Sequence, residues 1–430
     1  MDLAKISIIG TGYVGLVTGV CFAELGNNVV CVDVDEERVK KINSATPPIY
    51  EKGLEKLLEK NIKNKRMKAS SDLRHAILET DISFICVGTP SGLIDHIDLK
   101  YVMEVSKDIG AIIKDKEYHL VVVKSTVVPG TTEHSVVPIL EKLSQKTAGK
   151  DFGVAMNPEF LREGNAVEDF LHPDRIVIGG IDERSTDALY ELYRDFDCPI
   201  FKTDPRTAEM IKYATNSFLV TKISFINEIG NICKSLGIDV YEVAKGLGMD
   251  SRVSPEFLNA GIGFGGSCFP KDVKALVGKA KEVYYRPIVL NAALELNEEQ
   301  PYRMIELLER KIGSLKDVKV VVLGLAFKPG TDDMREAPSV KIINNLLNKG
   351  AVICATDPEA IEEAKNMFGT HERLKFSTSA EDAVKFGRYV LIVTEWDEFR
   401  NEALYKGKVV IDGRRIEDAE VADEYEGVCW

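Results

Sequence analysis

The sequence predicts an α/β protein: two Rossmann-like doubly wound domains joined by a long central helix. Three observations lead there. Short apolar runs alternate with helix-like stretches in the first and last thirds of the chain. The first of those runs opens into a glycine turn, Gly10-Thr11-Gly12-Tyr13-Val14-Gly15. The middle third carries one unbroken helical pattern over residues 205–236. A chain of 430 residues has room for two or three domains, and the expected boundaries are 1–200, 201–300 and 301–430.

Residues 5–10 read as a buried strand, and the glycine turn is followed by a helix-like run that Gly26 closes. A second strand, 28–33, ends on Asp33. Strand, glycine turn, helix, strand and acid, in that order, form a dinucleotide fingerprint. Gly10 makes the tight turn, Gly12 lets backbone reach a pyrophosphate, and Gly15 lets helix and strand pack closely. The pyrophosphate would sit on the helix N-terminus. Asp33 would hold ribose hydroxyls and repel a 2′-phosphate, so NAD is expected over NADP. Arg38 stands nearby and could also sit beside the adenosine ribose.

Further strands are expected over 81–87, ending in Gly88-Thr89-Pro90, and over 118–124, ending in Ser125-Thr126. Ligands of such sheets lie beyond the carboxyl ends of strands. Thr89 and Thr126 are therefore either strand-end caps or contacts to ribose and nicotinamide. A strand starting near residue 152 runs into Asn157-Pro158-Glu159-Phe160-Leu161-Arg162-Glu163-Gly164. On one helical turn, Glu159 and Glu163 would share a face, with Arg162 as their counter-ion or with catalytic work to do. Residues 174–180 read as the last, edge-side strand of this domain.

Over 205–236, Ala208, Ile211, Phe218, Leu219, Ile223, Ile226 and Ile232 are among the apolar residues that recur at helical spacing, and Gly237 stops the run. So wide an apolar stripe suits a subunit interface, and a homodimer is expected. Lys212 and Asn216 share a face of this helix. Lys212 either snorkels outward or points into a site. Beyond Arg252 come Phe257-Leu258-Asn259-Ala260-Gly261 and then Gly263-Phe264-Gly265-Gly266-Ser267-Cys268-Phe269-Pro270-Lys271-Asp272. The glycines let backbone approach a ligand, and a nearby cation or a helix start would supply thiolate at Cys268. Its other reading is a buried thiol beside a turn. Asp272 also suits a helix start on charge alone.

The last third repeats the strand–helix alternation without the glycine fingerprint. Strands are expected over 316–324, 351–355, 389–394 and 408–412, with a helix over 339–349. The pattern reads as a second nucleotide pocket for something other than a dinucleotide. Lys328, Arg335, Arg414 and Arg415 follow strand ends and suit anionic groups.

The totals exclude several classes. A net charge of −13 argues against a general nucleic-acid binder and against an anionic membrane surface. No apolar run reaches the length of a membrane span. The eight cysteines include no CxxC pair and the six histidines have no ligand spacing, so neither disulfides nor a metal are expected. No leader-like segment precedes the first strand, and the cytoplasm is the expected compartment.

Taken together, the fingerprint at Gly10, the Gly88-Thr89-Pro90 and Lys124-Ser125-Thr126 strand ends, the Glu159-to-Glu163 loop, Lys212-x-x-x-Asn216, the cysteine loop, and Phe327-Lys328 with Arg335 resemble the UDP-glucose/GDP-mannose dehydrogenase family. The resemblance covers essentially the whole chain. It implies NAD-dependent four-electron oxidation of a sugar 6-alcohol to a carboxylate. UDP-glucose is the implied substrate, and GDP-mannose or another nucleotide sugar the alternative. It implies Cys268 as nucleophile, with Lys212, Asn216, Glu159, Asp272 and Thr126 in the active site. Implied NAD contacts are Gly10, Gly12, Val14, Gly15, Asp33, Arg38, Thr89, Thr126, Glu163, Lys271 and Arg335. Implied substrate contacts are Glu159, Phe160, Leu161, Arg162, Glu163, Lys212, Asn216, Phe257, Leu258, Asn259, Ala260, Gly261, Gly265, Lys328 and Arg414. Arg252 matches an arginine that can reach the neighbouring subunit's substrate. The run Asp95-His96-Ile97-Asp98-Leu99 departs from the family's usual turn. A non-catalytic NAD sensor is the rival of a different class, and the intact Lys212, Asn216, Cys268 and Asp272 argue against it.

Overall fold

The computed structural model describes residues 4–92 and 95–430. The chain divides into two compact units, Met1–Thr215 and Asn216–Trp430.

The first unit is built on an eight-stranded sheet. Its strands are β1 (Lys5–Ile9), β2 (Asn28–Val32), β3 (Met67–Ser70), β4 (Ile82–Ile85), β5 (Leu120–Val123), β6 (Gly153–Met156), β7 (Ile176–Gly180) and β8 (Ile200–Thr203). The spatial order is β3-β2-β1-β4-β5-β6-β7-β8. The first six strands run parallel in the doubly wound order. β7 pairs antiparallel with β6, and β8 pairs parallel with β7. Two apolar clusters cover the sheet, one around Phe22, Phe84 and Val122 and one around Val121, Val123 and Phe152. With both faces covered, the inner strands are buried at nearly every position and mostly apolar, and the buried Ser7 of β1 and Ser83 of β4 satisfy each other. The 174–180 strand is not the edge that its sequence suggests. β8 continues the sheet beyond it, and its half-exposed Ile-Phe-Lys-Thr carries no apolar run to announce it.

The second unit repeats the plan. Its strands are β9 (Lys319–Leu323), β10 (Val352–Thr356), β11 (Leu374–Phe376), β12 (Tyr389–Ile392), β13 (Val409–Asp412) and β14 (Glu424–Gly427). They lie in the order β11-β10-β9-β12-β13-β14, all parallel.

The helix Pro205–Leu236 spans 32 residues. Proline at its first position and the Asp204 carboxylate on the Thr207 N–H start it. Gly237, at φ +70°, ends it, and the Ile238 N–H closes back on the Cys233 carbonyl. No helix among the described residues is long and apolar enough to cross a membrane.

Candidate active site

In the first unit, the ends of β1, β2, β4 and β5 meet the requirements of a dinucleotide. Gly10 turns the chain at φ +95°, and the helix Tyr13–Glu24 follows with no side-chain cap. Its first N–H groups are thus left for an anion. A Cβ added at Gly12 would meet nothing within 4 Å; one at Gly15 would lie 1.9 Å from the Gly10 carbonyl oxygen. Gly12 leaves room for a ligand, and Gly15 leaves room for the strand turn. Asp33 accepts the Thr11 N–H and hydroxyl at 2.8 and 2.5 Å and the Asp35 N–H at 3.0 Å. Burial opposes its ionisation, yet the Thr11 and Asp35 bonds and nearby Arg38 hold its carboxyl below the ordinary value. Arg38 itself turns to the Thr11 carbonyl at 3.1 Å. Thr89 is buried beyond β4, and Thr126 is half-buried beyond β5. An uncapped helix start, an open Gly12 and a charged acid after β2 fit NAD.

A second group in this unit centres on Glu159. Its carboxylate is buried, 3.0 Å from the ammonium of Lys212, and it accepts the Leu161 N–H at 2.6 Å. Lys212 points inward, not along the surface. Beside them Lys124 donates to Asn157 at 2.9 Å, and Asn157 is held by Tyr193 and by the Val177 carbonyl. The 159–163 segment is irregular, so Glu159 and Glu163 do not share a helical face. Pro158 and the Glu159-to-Leu161 turn prevent a helix there. The counter-ion of Glu159 is Lys212, and Arg162 makes a bidentate pair with Asp169.

The second unit holds the cysteine loop and an open cleft of about 230 Å³. Phe257, Asn259, Gly261, Gly265, Lys328 and Arg414 line it, with the rings of Phe264, Phe269 and Phe327. Aromatic faces beside two cations suit a base and a diphosphate. Leu258 and Ala260 do not line the cleft. Alternate residues of that stretch face opposite ways, and these two enter the apolar core. The loop is bolted from behind. Asn227 accepts the Gly261 N–H at 2.8 Å, Gln300 donates to the Gly261 carbonyl at 2.7 Å, and Asn297 holds both the N–H and the carbonyl of Phe264. None of these amides was singled out in the sequence; the only local hint is a polar residue on an otherwise packed helix face. A Cβ at Gly265 would lie 2.5 Å from the Glu336 carbonyl, and one at Gly266 would strike the Phe327 ring at 2.8 Å.

None of the eight cysteines forms a disulfide, and Cys268 is the exposed one. Burial pushes the thiols of Cys21, Cys86 and Cys429 up to about 12, which makes them inert packing residues. Cys268 instead caps the helix Phe269–Glu282, where N–H groups favour developing negative charge. One turn on, Asp272 is buried and accepts from Asn216 at 2.7 Å and from Lys271 at 2.5 Å. Arg335 pairs with Asp333, and the exposed Arg252 pairs with Asp250.

Comparison with known proteins bears on both units. The NAD-binding, central and UDP-binding domain models of the UDP-glucose/GDP-mannose dehydrogenase family match residues 4–197, 206–299 and 321–419. The UDP-glucose 6-dehydrogenase TuaD of Bacillus subtilis is 45 % identical over 96 % of this chain and 90 % of its own. The UDP-glucose 6-dehydrogenase AglM of Haloferax volcanii is 43 % identical over 99 % and 100 %. A UDP-glucose dehydrogenase structure from Pyrobaculum islandicum superposes with a TM-score of 0.96 at 42 % identity, covering 100 % of this chain and 98 % of that one.

Proposed function

This chain belongs to the UDP-glucose/GDP-mannose dehydrogenase family, and we propose that it oxidises the 6-alcohol of UDP-glucose to a carboxylate through a covalent adduct on Cys268. It is an NAD-dependent oxidoreductase. One observation carries the proposal. The exposed thiol among eight stands in a loop whose neighbours, Gly265 and Phe269, line the same cleft as Lys328 and Arg414. A two-electron alcohol dehydrogenase has no use for such a nucleophile.

The reaction divides into two oxidations and a hydrolysis. When bound, NAD accepts a hydride from the sugar C6 carbon in each oxidation, so two are reduced per sugar. In the first, the alcohol proton leaves to a water held by Asp272, and an aldehyde forms. The Cys268 sulfur adds to the carbonyl carbon and gives a thiohemiacetal. In the second, that carbon loses its hydride and its hydroxyl proton, and a thioester results. Water then adds to the thioester, the carbon–sulfur bond breaks, and the carboxylate leaves with the thiol restored. Each tetrahedral stage carries an oxyanion, which Lys212 and Asn216, one turn apart on the long helix, stabilise. Glu159 takes the proton of the hydrolytic water. Its 3.0 Å pairing with Lys212 links the two roles.

We assign residues 1–200 to the cofactor, 201–300 to the cysteine loop and a homodimer contact, and 301–430 to the nucleotide sugar. Phe218, Phe225 and Ile232 recur every seven residues on the long helix and are all exposed, which supports the dimer.

Two measurements test the reaction. With UDP-glucose, NADH formed per sugar is expected to be about two, set by the four-electron stoichiometry; no turnover with UDP-glucose, GDP-mannose or UDP-N-acetylmannosamine would favour a sensor. Cys268→Ser is expected to stop at the aldehyde or its adduct in a single turnover. Full oxidation to the acid by that variant would remove the nucleophile from the mechanism.

A further inference from the structure

Glu51 is buried, and none of the chemistry above uses it. Its Oε2 accepts the Tyr13 hydroxyl and, at 2.8 Å, the Gly164 N–H. Its Oε1 accepts the Ala166 N–H at 2.9 Å. The Tyr13 hydroxyl also accepts the Gly164 N–H, at 2.9 Å. One carboxylate thus joins two segments far apart in sequence. Tyr13 lies inside the glycine turn and starts the uncapped helix. Gly164, at φ +81°, closes the segment that begins at Glu159. The segment is irregular: Lys212 holds its start at Glu159 and Asp169 holds Arg162, and the helix Ala166–Leu171 that follows has no side-chain cap of its own, so the Glu51 bonds tie the end of the segment to the cofactor turn. A buried carboxylate with three donors is a strong and directional anchor, and removing it strands those donors.

We infer that Glu51 and Tyr13 are positioning residues that hold the 159–164 segment in register with the cofactor turn. Anything that orders the helix start at Tyr13 also orders Glu159 through this anchor. The catalytic part of the inference rests on the reaction proposed above; the cofactor part does not. Neither residue lines the cleft that holds Lys328 and Arg414, so the anchor acts on turnover and on cofactor affinity, not on capture of the sugar nucleotide.

The test uses the full-length protein carrying Tyr13→Phe, Glu51→Gln or both. NADH affinity is titrated by fluorescence without sugar, and kcat and KM are measured with UDP-glucose. Each single variant is expected to lower kcat about tenfold, as one charge-assisted bond is worth. NADH binding weakens severalfold, and the UDP-glucose KM stays within about twofold. The double variant is expected to be no worse than Glu51→Gln, because both act through one carboxylate. Additive losses, or a lowered melting temperature with kcat and NADH affinity intact, would overturn the anchor. Tyr13→Phe keeps the ring and removes one hydroxyl, so it carries the test even where Glu51→Gln does not fold. A wild-type protein inert towards UDP-glucose would overturn the proposed reaction alone. An unchanged NADH affinity in both variants would overturn the anchor whatever the substrate.

Discussion

Six strands of the first sheet share the strand order of the second, and the two sheets use its first turn in opposite ways. In each, a glycine of positive φ ends the first strand, Gly10 at +95° and Gly324 at +101°. Each donates its N–H to the last carbonyl of the second strand, at 2.8 and 2.9 Å. In each, an aspartate just past the second strand accepts N–H groups from the turn: Asp33 from Thr11, Asp357 from Leu325 and Ala326. There the likeness ends. The first chain enters a helix at once, with Gly12 open and Asp33 half-exposed. The second wanders through residues 325–337 before its helix Pro338–Asn348. Asp357 is buried and also accepts from Glu359, Ala360 and the Trp396 indole. With five donors it has no capacity left for a ribose. The excursion instead carries Phe327 and Lys328 to the cleft. A Rossmann turn therefore recognises a dinucleotide only while its acid and its second glycine remain unspent. Where the acid is absorbed into the fold, as at Asp357, the loop that replaces the helix start lines the cleft instead.

Alanine at one glycine of each turn should break the comparison most visibly. At Gly324 a Cβ would lie 2.4 Å from both the Cβ and the backbone nitrogen of Thr394. Gly324→Ala is expected to cost about 4 kcal/mol or more, through overlap and a positive φ, and to lower the unfolding midpoint or abolish soluble protein. Gly12→Ala meets no protein atom. It is expected to change stability by less than about 1 kcal/mol while weakening NADH binding about tenfold or more. Calorimetry and NADH titration on the two variants decide the matter: an unstable Gly12→Ala of normal NADH affinity would end the argument that this position belongs to the ligand.

The aspartates give a smaller version of the same contrast. Asp357→Asn places an amide among five donors and is expected to lose about 2–4 kcal/mol of stability without touching NADH affinity. Asp33→Asn keeps its Thr11 contact, so its stability loss should stay near 1 kcal/mol, while NADH binds about tenfold more weakly. NADPH should then gain relative to NADH, since the charge that repels a 2′-phosphate is gone. Equal stability losses at the two positions would mean that Asp33 is as structural as Asp357.

The parts of the fold legible in sequence were those buried on both faces. The inner strands read as apolar runs, such as Leu-Val-Val-Val at β5. The four strands not anticipated, β3, β8, β11 and β14, are the four sheet edges. Their sequences, such as Met-Lys-Ala-Ser and Glu-Tyr-Glu-Gly, are half polar because one side lacks a neighbour. The site divides similarly. The glycines of the turns and the cations of the cleft were legible because their spacing follows from a turn or a strand end. Glu51, Asn227 and Asn297 were not, because what they hold is distant in sequence. The 159–163 loop misled for a local reason: four-residue spacing matters only on a helix, and Pro158 with the Glu159 carboxylate makes a turn instead.

The equivalent strands β5 and β13 end in buried charges of opposite sign, and pH should separate them. Lys124 follows β5 and Asp412 ends β13; both are buried. Burial pushes Asp412 up from 3.8 to about 6, against the bonds it accepts from Arg414, Ile416, Tyr425 and Arg415. Burial pulls Lys124 down from 10.5 to about 8, while Cys86 and Glu159 raise it. The signs follow from which state holds more protons. Folded Asp412 keeps a proton that the unfolded chain has lost, so its contribution is full below about pH 4 and is lost as pH rises through about 6. Folded Lys124 sheds its proton first, so stability is lowest below about pH 8 and recovers between about 8 and 10.5. Each window should span about 1–2 kcal/mol once relaxation around the charge is allowed for. Asp412→Asn should flatten the acid window and leave the alkaline one, and Lys124→Met should do the reverse. Denaturant midpoints of both variants, taken as differences from the parent at each pH, check it. Differences constant in pH for both variants would mean that these charges are compensated in the fold as fully as in water.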